Sequence, residues 1–74
     1  MERSELDLIE KLSVGHDELR HLWTRHQYFE RSLVRLQDVR HPSEADRREI
    51  GRIKRMKLRG KERISAILTQ HRDL

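Results

Sequence analysis

The chain has 74 residues, 34% hydrophobic and 41% charged, with a net charge of +4, no cysteine and one proline. A chain this short forms one domain with a small core, and without cysteine it has neither a disulfide scaffold nor a thiolate site. No apolar run approaches the ~18 residues needed to cross a membrane, and the start Met1-Glu2-Arg3-Ser4-Glu5 lacks the apolar stretch of a signal peptide, so a cytoplasmic protein is expected.

A short first helix is predicted over residues 5–13. Ser4 and Asp7 resemble a capping box, and Leu6, Leu8, Ile9 and Leu12 supply an apolar face. Val14-Gly15 predicts a break, because glycine weakens helix and readily takes the left-handed cap conformation. A long helix follows over about 16–40, with Asp17 and Glu18 favourably placed near its amino-terminal dipole. His41-Pro42-Ser43 is the turn. Ser43 is a strong N-cap with Asp46 in capping-box position, opening a second long helix over about 44–71. Each long helix spans about 25 residues, or about 38 Å.

Two ladders in these helices mirror each other about Ser43. Leu19, Leu22, His26, Phe29, Leu33 and Leu36 step by three and four residues, as do Ile50, Ile53, Lys57, Gly60, Ile64 and Ile67. Folding back at the turn sets Leu36 against Ile50, Leu33 against Ile53, and so on to Leu19 against Ile67. The predicted fold is therefore all-α: an antiparallel, coiled-coil-like helical hairpin with a short amino-terminal helix. Beside the seam this register sets Glu30 near Lys54, Glu18 near Gln70, Ser32 near Met56 and, unfavourably, Arg25 near Arg63. Within it, Lys57 lays its stem over Phe29, and the missing side chain of Gly60 makes room for His26 and Trp23.

Little in the chain points to catalysis. His16, His21 and His26 are five residues apart, which scatters them around a helix, and no third ligand converges where His71 approaches His16. There is no phosphate-binding glycine loop or nucleophile elbow, and a thin hairpin encloses no substrate pocket. A non-enzymatic protein without cofactor, metal or small-molecule substrate is expected.

The run from Ile53 to Ile64, with Arg25-His26 before it, resembles the bacterial YdcH-like family of small proteins of undetermined role. His26, Lys54, Lys57, Leu58, Lys61, Glu62 and Ile64 match its motif, and Asp7-Leu8-Ile9 with Leu12 is also similar. The chain departs from the pattern at Gly60, where the family usually has leucine. The resemblance implies a helical hairpin and brings no activity with it.

Function is then expected in what the seam leaves over. Trp23, Leu58 and Leu68 flank it as a candidate apolar strip for self-association into a dimer or small bundle, or for another protein. The competing arrangement folds the first helix back, so that Ile9 and Leu12 cover Trp23 and Leu68. Charge supplies the alternative. Residues 1–43 carry −1 and residues 44–74 carry +5. Arg47, Arg48, Arg52, Lys54, Arg55, Arg59, Lys61 and Arg63 could hold phosphates and bind nucleic acid without sequence preference. Against this, the basic residues wrap around the helix, and no aromatic is interleaved with them for base stacking. An acidic protein or an anionic membrane surface could use the same charge.

Overall fold

A computed structural model describes residues 1–72 as three helices with no strand among them: α1 (Arg3–Ser13), α2 (Asp17–Gln37) and α3 (Glu44–Arg72). The molecule is elongated, 48 × 20 × 17 Å, and α2 packs mainly against α3. Residues early in α2 meet residues late in α3: Leu19 shares a buried cluster with Ile64, Ile67 and Leu68. Nearer the connection, Phe29 and Leu33 share a second cluster with Ile53, flanked by Leu36, Ile50 and Met56.

The termini of the helices show why they begin and stop. At α3 the Ser43 hydroxyl accepts from Asp46 N at 3.1 Å while the Asp46 carboxylate accepts from Ser43 N at 2.9 Å. This reciprocal pair is the capping box written into the sequence. At α2 the cap is His16, whose Nδ1 accepts from Leu19 N at 3.1 Å. Helix α1 starts earlier than predicted, at Arg3 with Glu2 as its uncapped N-cap, so Ser4 lies inside the helix. Gly15 makes the break without a positive φ, which none of the described residues adopts. Helix α2 stops at Gln37, three residues short of Arg40. Asp38 through His41 are exposed, so further turns of helix would bury nothing to offset their ordering.

The short α1 folds back over the pair. Ile9 is buried to 1% exposure in the cluster with Leu68, and Leu8, Leu12, Leu22 and Trp23 pack against it. Leu68 is itself 1% exposed and so is core, not surface. The competing arrangement from the sequence therefore holds for Leu68, because α1 supplies the apolar cover that the two long helices lack at that end.

Ion pairs across the seam differ from the predicted ones. Glu30 bonds Lys57 Nζ at 2.8 Å instead of Lys54, so the Lys57 stem crosses the seam and its charge is met there. Glu18 accepts two bonds from Arg63, at 2.9 and 2.8 Å, in place of the neighbour Gln70. The expected Arg25–Arg63 repulsion gives way to two separate contacts. Arg63 is held by Glu18, and the Arg25 guanidinium lies 5.5 Å over the Phe29 ring.

Candidate functional site

The face of the α2–α3 pair that carries the arginines is built from simple spacings. Arg48, Arg52, Arg55, Arg59 and Arg63 follow one another at steps of four, three, four and four residues, which holds them on one stripe of α3. Arg47, Lys54 and Lys61, seven apart, form a second stripe. Gly51, Leu58 and Glu62 lie between the two. The basic residues thus wrap around the helix as two separate rows, an arginine side and a lysine side. All eight are exposed.

Two arginines of the stripe are already engaged. Arg52 donates to both oxygens of Glu49, at 3.0 and 2.6 Å, and Arg63 is bidentate on Glu18. The hydrogen bonds from Arg52 and Arg63 hold the Glu49 and Glu18 carboxyls below their ordinary pKa, so both acids stay ionised. Arg48, Arg55 and Arg59 have no acidic partner among the described residues. Four guanidiniums, those of Arg47, Arg48, Arg52 and Arg55, border a shallow notch over Gly51. The Arg55 Nη1 lies 3.5 Å from where a Cβ on Gly51 would stand.

Beside the stripe, two clefts follow the seam and share Phe29 and Met56. The larger, about 320 Å³, has Leu22, Phe29 and Met56 as apolar walls and Arg25, Lys57 and Arg59 as its cations, with Gly60 and His26 completing it. Gly60 does not make room for tightly packed neighbours, since a Cβ built there meets nothing within 4 Å. Its missing side chain leaves an opening instead. The smaller cleft, about 180 Å³, is bordered by Arg35, Arg52, Glu49, Ser32 and Tyr28. Tyr28 is 56% exposed, its ring 6.1 Å from that of Phe29. An exposed aromatic therefore stands beside the arginines, which sequence reading missed. The signal was available: Tyr28 sits next to the seam residue Phe29 and one step towards solvent.

His26 is the one buried imidazole among the described residues, 6% exposed and stacked on Trp23 at 5.4 Å with 11° between the planes. Its Nε2 lies 3.4 Å from the Glu30 carboxylate, while Nδ1 is buried without a hydrogen-bond partner. Burial lowers its pKa, and Lys57 and Lys61 push the same way against Glu30, so the ring is neutral at pH 7. The Lys57 hydrogen bond lowers the pKa of Glu30 in turn.

The three candidate interface residues do not form one strip. Leu68 is buried beneath α1 and Trp23 is half-buried against the same cluster. Leu58 alone stays out, 56% exposed between two rows of cations. Of the histidines, His16 and His71 do meet, ring centroids 5.7 Å apart, and no group of three potential metal ligands exists among the described residues. Among the described residues no helix is long and apolar enough to cross a membrane. Comparison of the chain with family models, curated proteins and solved structures finds no match, so the functional reading rests on the residues themselves.

Proposed function

We propose that this protein acts by binding, without turnover, as an antiparallel helical hairpin that presents an arginine-walled face to a polyanion, the phosphate backbone of a nucleic acid. The arginine stripe carries the proposal. Arg48, Arg55 and Arg59, unneutralised on one side of α3 and joined across the seam by Arg25 and Arg35, supply the charge that phosphates require. The hairpin part of the reading is supported by Glu18–Arg63 and Glu30–Lys57, which tie the start of α2 to the end of α3 and its middle to the middle. Membership of the YdcH-like family and a bacterial cytoplasmic setting belong to the same proposal and rest on the resemblance of the residues from His26 to Ile64 and of Asp7-Leu8-Ile9 with Leu12.

Fluorescence anisotropy with a labelled mixed-sequence oligonucleotide tests it. Affinity should fall at least about tenfold between 50 and 200 mM salt, with the slope reduced by about one when Arg55→Ala or Arg59→Ala removes a phosphate contact. Absence of binding at low salt would exclude the polyanion.

Self-association is the second reading, and Leu58 is the observation that favours it: a leucine 56% exposed on a helix surface offers apolar area to a second copy. Light scattering on the wild type and Leu58→Asp decides this. A wild-type protein that stays monomeric at high micromolar concentration excludes the oligomer.

A further inference from the structure

The larger seam cleft has features that phosphate binding leaves unexplained. A backbone-binding surface needs cations at the rim but not an apolar interior, yet Leu22, Phe29 and Met56 wall this one. Its volume of about 320 Å³ exceeds what a phosphate group requires, and no carboxylate lines it. The opening exists because of Gly60: the helix is continuous there, and a Cβ would point into space with nothing within 4 Å. His26 borders the cleft, while its Nδ1 is buried away from it without a partner. A planar cation stands at the cleft, the Arg25 guanidinium lying 5.5 Å from the centre of the Phe29 ring.

These features match a nucleobase. A base brings a flat, largely apolar face that packs on apolar walls and on guanidinium planes, and it carries a phosphate on either side. Bases in a duplex are stacked and paired, so their faces are closed to such a cleft; those of a single strand are open. We propose that the Gly60 cleft receives one unstacked base of a single-stranded nucleic acid, whose flanking phosphates lie on Arg25 and Arg59. This rests on the polyanion reading and adds to it a strand preference and a base pocket.

The test compares three labelled ligands of equal length at 50 mM salt: a mixed-sequence single strand, its duplex, and a single strand in which every base is abasic. Wild-type protein should hold the single strand about tenfold more tightly than either of the others. Gly60→Leu fills the cleft while keeping every cation, and circular dichroism should show it helical with a melting temperature no lower than the wild type. It should keep its affinity for the duplex and lose the single-strand preference. Equal affinity of the wild type for the single strand and the abasic strand overturns the base pocket while leaving the polyanion reading intact, and it needs no variant to show it. A well-folded Gly60→Leu that retains the preference overturns it as well. Failure of all three ligands to bind removes the polyanion reading, and the pocket with it.

Discussion

The two ends of the α2–α3 pair are built from the same kinds of residue and closed to different degrees. At the end near the termini α1 lies over the seam, and Ile9, Leu19, Ile64, Ile67 and Leu68 are each no more than 1% exposed. Towards the connection no third helix is present, and Phe29, Leu33 and Ile53 keep 4–7%. Exposed apolar groups occur at both ends, with Tyr28, Val34 and Val39 on the uncovered half and Met1, Leu6 and Val14 in and beside α1. Two helices alone bury a stripe, and a third is needed to bury a core. The uncovered half is also where the seam clefts reach and where the arginines stand beside them. Closure and binding surface are thus divided between the two ends of one small molecule.

The largest effect that would test this division is a matched pair of truncations. Ile64→Ala, in the covered half, should cost about 4 kcal/mol, and Ile53→Ala, in the open half, about 2 kcal/mol, because the open site relaxes into its cavity more readily. Urea unfolding followed by circular dichroism measures both. Equal losses would mean that α1 adds nothing to packing. Somewhat smaller, Ile9→Ala should cost about 3 kcal/mol and loosen α1 itself. Trp23, which packs against that cluster, then reports the change as a red shift in its fluorescence. An unshifted spectrum with the full stability loss would show that α1 stays docked without its anchor.

Next comes an acid effect centred on the middle of the molecule. His26 faces Glu30 on its own helix, Lys57 and Lys61 on α3, and the amino-terminal ammonium of Met1. Burial sets its folded pKa below the ordinary 6.5, so the unfolded chain takes up the proton first as pH falls. Stability is therefore fully present above about pH 6.5 and lost as pH drops below it. A second loss follows beneath the ordinary carboxyl value of 4.5, where Glu18, Glu30 and Glu49, whose pKa values are lowered in the fold, are protonated in the unfolded chain first. Unfolding free energies at pH 7.5 and 5.5 should differ in the wild type and converge in His26→Gln. A wild type equally stable at both values would place the imidazole in water.

Local features were the readable ones. Ser43 and Asp46 are three residues apart, so their mutual capping depends on nothing distant, and the heptad ladders needed only one turn to become a seam. The fate of Leu68 could not be read the same way. Ile9 and Leu12 advertise an apolar face, but which side of the pair they cover depends on how Val14 and Gly15 route the chain. Glu30 was assigned to Lys54 because register counts backbone positions, whereas the Lys57 stem is long enough to cross the seam. Of the candidate site, the eight basic residues were legible, and the steps of four, three, four and four carry a sorting into two rows that reading them as wrapped around the helix passes over. What was not visible is the face they share with Arg25, Arg35 and Tyr28, since that requires the rotation of α2 about its own axis.

The smallest effect has the opposite sign. Glycine inside a helix is about 0.5–1 kcal/mol worse than alanine, and at Gly60 the added methyl meets nothing within 4 Å. Gly60→Ala should therefore raise stability by that amount and the melting temperature by about 3–6 °C. Gly51→Ala is the fair control, because Gly51 lies on the outer surface of α3 where only the flexible Arg55 guanidinium is near. The two substitutions should gain alike if the seam at Gly60 is as open as the outer surface. A gain at Gly51 together with a loss at Gly60 would mean that α2 and α3 close on each other at that layer. The cleft would then be filled by the protein's own side chains, and the contrast between a sealed end and an open one would begin further along the pair, beyond Phe29.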